Sequence, residues 1–382
     1  MEAYNHFLWN LQLKMDCFNH NSRASRNFKR IPNIYKYVDY LVSYAKNSKE
    51  KKPTLQELKI IDRIRSITSM HNRNNITRTE AYRQMYFQHP ELHWAFLAHM
   101  VSRNGGWCMT DIKGNLMSKL LTEEEEKSFY QFFERANALI FYDAYPQLLL
   151  YEECKKQNRN LFHLLPALHV SSFMRPFWEC FLMQRSSELL TVALIINEQH
   201  YIENRIIKAT AFQKHVLNTY KFKEQQLLQM SQVIFPYWMK NNKNIRLAGS
   251  ILEHFADITE RIESGKQLYA ILFGIQDVFE GAVRFASEIK HTGSRADYWE
   301  KLYSKKKLKE KRHYYSPELE NVWKDYPFIL PEKFDWFANV SPAASASYFK
   351  AGRVPFRFDM TGESYFRLNK LELAVQMKKY IK

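Results

Sequence analysis

Glycine is scarce in this chain, with 10 residues among 382. Sheets joined by tight turns need glycine wherever φ turns positive, so a turn-rich all-β protein is excluded. Cysteine is rarer still. Cys17, Cys108, Cys154 and Cys180 are far apart and form no CxxC pair, which excludes a disulfide framework or a zinc ribbon. Four separate thiols fit a reducing compartment. Long apolar runs are missing too. The longest, Leu189-Leu190 and Val192 to Ile196 around Thr191, falls well short of the roughly 20 residues that span a bilayer. The first residues, MEAYNHFLWNLQLKMDC, lack the basic start and apolar core of a signal peptide. A cytoplasmic protein without a transmembrane segment is expected.

Chemical signatures are equally sparse. HExxH, a GxSxG elbow and a P-loop are all absent. Glu288-x-x-His291 is the single pair of the di-iron type, and that class of site needs two. His93 and His99 do not share a helical face. No metal and no cofactor are expected.

What is present favours helices and an anionic partner. Apolar residues make up 46% of the chain and aromatics 15%. Lysine and arginine number 56 against 40 acids, a net charge of +16. That balance points to an anionic small molecule, a membrane surface or a nucleic acid. Asn33 to Lys46 reads as a helix. Thr54 and Glu57 make a capping box for a helix ending near Met70. HNRNNITRT reads as a loop, with Thr79 capping a short helix behind it. Thr122 and the acids Glu123 to Glu126 open a long helix that Pro146 interrupts. Helices fill Ser172 to Lys240, and two or three more follow over 246–290. No strand-like alternation and no repeat of 20–50 residues appear. From about residue 316 the chain reads as coil, with a last helix near Glu363 to Tyr380. The expected fold is all-α: a multi-helix globular body at 54–315, an N-terminal extension at 1–53 and a largely coil C-terminal tail at 316–382.

Three stretches concentrate unusual residues. In HWAFLAHMVSRNGGWCMTDIKG (93–114), Pro90 precedes a helix whose Trp94, Leu97, Ala98 and Val101 form an i, i+3, i+4, i+7 stripe. Asn104-Gly105-Gly106 is expected to end it. His93, His99, Arg103, Asn104, Asp111 and Lys113 then border a pocket roofed by Trp107, unless Trp107 is a core plug. In the helix over 188–208, Glu198 sits on the apolar side, where a carboxylate needs a partner. Arg205 or an arginine from another helix is expected to pair with it. Lys266 follows Gly265 at an expected helix junction, where backbone N–H groups can hold an anion. HTGSRADYW (291–299) offers Arg295 as a bidentate donor.

Those stretches, with INEQHYIENR (196–205), resemble an uncharacterised bacterial family catalogued as a domain of unknown function. The likeness covers roughly residues 55–330, and it implies no activity. Three readings follow from the residues. The first is a helical protein with a buried polar pocket for an anionic ligand or partner. The second is an enzyme using that pocket, with His99 or Glu198 as general base. The third is a non-specific nucleic-acid or membrane-surface binder acting through 301–312, where seven cations face one acid, Glu310.

Overall fold

The computed structural model describes residues 15, 34–47, 52–217, 232–240, 244–308 and 313–381. Among the described residues the first helix of several turns is α1 (Ile34–Asn47). Thr54 caps α2 (Leu55–His71): its Oγ1 accepts from the Glu57 N–H at 3.3 Å, and Glu57 Oε2 accepts from the Thr54 N–H at 2.9 Å. The next helix, α3 (Asn75–Gln88), starts four residues before the expected Thr79. Asn74 caps it and Thr77 returns the bond. The polar run before it is therefore a cap and first turn, since Asn is as good an N-cap as Thr.

The central elements are α4 (His93–Asp111) and α5 (Glu123–Gln157). Both differ from expectation in the same way: a residue that breaks isolated helices lies inside them. Asn104-Gly105-Gly106 does not end α4, and Pro146 does not end α5. Proline removes one ladder bond, but its neighbours Ala144, Tyr145, Gln147 and Leu148 are all buried, and packing holds the helix through the gap. Two further helices follow, α6 (Met174–Gln184) and α7 (Ser187–Ile202). Every residue of α7 from Leu189 to Asn197 is buried. A helix apolar on all sides belongs at the centre, and α7 packs against α4, α5 and α6. It closes in one π turn, Glu203–Ile207.

Of the helices expected up to Lys240, residues 218–231 lie outside the described residues, and from Gln232 the chain forms an antiparallel hairpin instead. Strand β1 (Gln232–Trp238) pairs with β2 (Ile245–Ile251), Pro236 opposite Leu247. QVIFPYW is rich in β-branched and aromatic residues, and Pro236 disfavours a helix interior. Two helices, α8 (Ile258–Gly274) and α9 (Gln276–Glu288), complete the body, with α9 packed on β1. A two-residue parallel pairing joins Tyr303–Ser304 to Tyr314–Tyr315. The fold is mostly helical, as expected, with these two small sheets added.

Residues beyond 316 lie against this body. Trp336, Phe337 and Phe349 are buried in the main core. Asp335 accepts from Ser171 Oγ (2.5 Å), Ser172 N (3.0 Å) and Ser172 Oγ (2.6 Å). Next to β2, the Gly249 N–H donates to Phe358 O and the Met360 N–H to Leu247 O, both at 2.8 Å. The last helix, α10 (Thr361–Ile381), follows. No helix among the described residues is long and apolar enough to cross a membrane.

Candidate functional site

The anticipated stripe of α4 faces a cavity. Trp94, Leu97, Ala98 and Val101 line it, and the same face continues through Asn104, Gly105 and Cys108. The cavity is about 270 Å³. Its other walls come from Phe133, Asn137 and Ile140 of α5, Glu198 and Ile202 of α7, β1, and Leu268 of α8. Gly265 is inside α8 rather than at a helix junction. A Cβ there would lie 2.8 Å from Ile195 Cγ2, so the glycine serves the close approach of α8 to α7.

Glu198 is the cavity's distinctive group. Loss of hydration pushes its carboxyl up to about 8, against weaker downward pulls from Gln199 and Trp94. It is therefore mostly protonated at neutral pH. The expected ion pair does not form. Arg205 turns away, donating to Tyr201 O (3.0 Å) and Phe334 O (3.1 Å). Glu198 reaches a cation only through its neighbour: Gln199 Nε2 donates to Glu198 Oε1 at 3.2 Å, while Gln199 Oε1 accepts from Arg261 Nε at 2.9 Å. Arg261 itself pairs with Glu203. On the α3 wall, buried Arg78 pairs with buried Glu134 at 2.6 Å. Both cavity arginines are thus neutralised. Behind α7, Asp143 accepts from Asn197 Nδ2 at 2.5 Å and Gln147 Nε2 at 3.1 Å, and burial raises it to about 7.

The sequence-derived candidates do not gather in one pocket. Asn104 and Glu198 line the cavity. Asn104 also clamps β1, donating to Gln232 O and accepting from the Ile234 N–H, each at 3.2 Å. His99, Arg103 and Trp107 occupy a different face of α4. His99 Nδ1 donates to Thr79 O (2.9 Å), and Arg103 Nη1 donates to Ile289 O (2.9 Å) with its guanidinium over Phe285. Burial holds His99 well below its usual range. It is not at the cavity wall, so it cannot serve as a base there. Trp107 is a core plug, 4.7 Å from the Tyr298 ring. Gly106 is small for a reason: a Cβ would meet the Asn75 amide, and His291 Nε2 at 2.6 Å.

Asp111 and Arg295 form a separate cluster. Arg295 Nε and Nη2 grip Asp111 at 2.7 Å each, and Arg367 of α10 joins at 3.0 Å. Lys113 pairs with Glu126 (2.5 Å). His93 bonds the Tyr269 hydroxyl (2.9 Å) and stacks on Phe273, with burial lowering it to about 4. Lys266 donates to Tyr348 O (2.9 Å) and pairs with Glu263 (2.6 Å). None of these cations is free to receive an anion in the cavity. In the basic run, Lys305 pairs with Asp297 and Glu318, and residues 309–312 are outside the described residues. Among the described residues no cluster of three His, Cys, Asp or Glu could hold a metal ion.

The motifs do meet, but on opposite faces of α4: 291–299 against His99, Arg103 and Asp111, and 196–205 across the cavity. Sequence reasoning missed Arg78, Tyr82, Gln199 and Arg261. Arg78 and Tyr82 are i, i+4 on α3, and their signal was hidden because the start of α3 reads as a loop.

Fold and site define a mostly helical body around a largely apolar cavity with one half-buried acid, Glu198, on its wall. Residues 70–348 match the family described as "Protein of unknown function (DUF2515)", and the chain belongs to that family. All three motifs lie in the matched range. The chain is also 37% identical over 325 residues to "Uncharacterized protein YppC" of Bacillus subtilis (strain 168), covering 85% of this chain and 97% of that one. No solved structure matches it.

Proposed function

We propose that the protein binds a small, neutral, largely apolar molecule in the cavity behind α4. The observation that carries this is the unfilled stripe: a face built from Trp94, Leu97, Ala98 and Val101 borders about 270 Å³ of space rather than packed side chains. Apolar surface of this kind gains free energy when an apolar occupant takes it out of water. Neutrality is supported by the pairing of Arg78 and Arg261 with Glu134 and Glu203, and by the raised Glu198 carboxyl. The anionic ligand suggested by net charge would find no unpaired cation on the cavity wall, where Arg78 and Arg261 are both held by carboxylates. The unpaired thiols of Cys154 and Cys180 support a reducing compartment for the protein.

The test is uptake of a small hydrocarbon such as α-methylstyrene, followed by calorimetry, in the wild type and in Ala98→Leu. Binding by the wild type that is weakened at least tenfold in Ala98→Leu supports the reading. No uptake, or uptake unchanged by the substitution, overturns it.

A second reading has one observation behind it. A carboxyl near 8 in a cavity is poised for proton transfer at neutral pH, so Glu198 would act as general acid on a bound substrate. Glu198→Gln separates the two readings, because a carrier keeps its ligand exchange while an enzyme keeps binding and loses turnover.

A further inference from the structure

The cavity wall offers no cation for the anion that a net charge of +16 suggests. The C-terminal end of α4 does. There Asp111 holds two arginines at once. Arg295 of the 291–299 stretch donates through Nε and Nη2, each at 2.7 Å, and Arg367 of α10 donates through Nη2 at 3.0 Å. Both arginines are at least nine-tenths buried, with exposures of 3% and 7%. Arginine does not lose its proton, so two guanidiniums against one carboxylate leave one positive charge over. A buried charge left without a counter-charge is costly, and an anion would relieve that cost.

The three groups border a cleft of about 30 Å³, distinct from the cavity behind α4. Tyr298, Trp299, Tyr303, Tyr314 and Ser364 also line it, and Asp111 is the single acid among its described lining residues. Glu372, on the next turn of α10, bonds the Tyr314 hydroxyl instead. The walls are braced before any ligand arrives. Trp299 stacks on Tyr365 of α10 at 4.6 Å, the Arg295 N–H donates to Ser316 Oγ at 2.8 Å, and the Asn115 N–H donates to Tyr315 O at 3.0 Å. Arg367 has donors left to give. A guanidinium carries five N–H groups, and only Nη2 of Arg367 is bonded. Its Nε and Nη1 are not among the sealed, unpartnered atoms, so a solute can reach them.

We propose that this cleft binds the carboxylate group of a small organic acid, held by Arg367 and Arg295 beside Asp111. Charge and size select that group. A carboxylate carries the one negative charge that the cluster lacks, and its planar pair of oxygens matches the guanidinium fork. A water molecule needs about 10–15 Å³ of such space, so a cleft of about 30 Å³ seats two oxygens. Phosphate would bring more oxygens than the cleft seats and more charge than the cluster lacks. The site is independent of the cavity, and neither stands or falls with the other.

The test is a set of thermal melts of the full-length wild type, Arg367→Gln and Asp111→Asn at neutral pH and constant ionic strength. The added solutes are sodium propionate, its neutral counterpart propionamide, inorganic phosphate and sodium chloride. Circular dichroism checks that each variant is folded. Propionate should raise the wild-type melting temperature more than the other three solutes do, with a concentration dependence that gives its affinity. Arg367→Gln removes the surplus charge and should weaken that affinity about tenfold or more. Asp111→Asn enlarges the surplus and should strengthen it. A cluster that merely fastens α10 would destabilise both variants and give propionate no advantage over chloride or propionamide, which overturns the site. A propionate effect unchanged in Arg367→Gln also overturns it, and a larger effect of phosphate overturns the carboxylate assignment. If Asp111→Asn does not fold, the wild type and Arg367→Gln decide.

Discussion

A single carboxyl carries much of the site's electrostatics, and its effect on stability has a definite sign. Glu198 is raised to about 8 in the folded chain and titrates near 4.3 when unfolded. Below that lower value both states hold the proton. Between the two values the unfolded chain has released it and the native chain has not. Stability therefore falls as pH rises through this window and levels off above about 8. Asp143, raised to about 7, adds a slope of the same sign that ends earlier. Glu198→Gln should remove its share, on the order of a few kcal/mol. Urea melts from pH 5 to 9 should thus show a shallower decline for Glu198→Gln, with the variant at least as stable as the wild type at pH 8.5. Parallel curves would mean that Glu198 is ionised and paired in the folded state.

At the scale of an element, α4 shows what two adjacent glycines do inside a helix. On an exposed helix, Gly→Ala gains up to about 1 kcal/mol. At Gly105 the nearest atoms to a Cβ are those of the Asn137 amide at 3.4 Å, an ordinary contact. At Gly106 a Cβ would fall on the Asn75–His291 hydrogen bond, itself 2.8 Å long. Gly105→Ala should keep or raise the melting temperature. Gly106→Ala should lower it by several degrees, since pushing the pair apart leaves buried polar groups unpaired. Calorimetric melts of the two variants check this, and equal shifts would refute the close-packing account of Gly106.

For the whole molecule, the question is how the last residues bear on the body. The division into extension, body and tail is still a proposal, and Asp335 gives a handle on it. This one carboxylate holds Ser171 and Ser172 and caps the turn at Trp336–Asn339. Asp335→Ala removes these bonds without touching the cavity wall. Limited proteolysis should then cut between residues 316 and 360 several-fold faster, with far-UV circular dichroism unchanged. Cleavage at the wild-type rate would mean that burial of Trp336, Phe337 and Phe349 alone keeps this segment docked. Arg205, which donates to Phe334 O and Glu332 O, belongs to the same attachment.

The local signals in the chain were enough to determine the helical class, the capping box at Thr54, the helix start at Thr122, the last helix and the family resemblance. Each depends on neighbours within a few turns. The stripe Trp94, Leu97, Ala98 and Val101 was also legible, but not what it faces, because periodicity marks a side and says nothing of what lies opposite. The passage of α4 through Gly105-Gly106 and of α5 through Pro146, and the turn from helix to hairpin at β1, were decided by tertiary packing overriding local propensity. So was the pairing of charges. Arg295 and Lys266 looked free in sequence and Arg205 was expected to pair with Glu198, yet their partners Asp111, Tyr348 and Phe334 lie 184, 82 and 129 positions away. Only the folded chain brings such groups within bonding distance, and only there does Glu198 lose the hydration that would have kept it ionised.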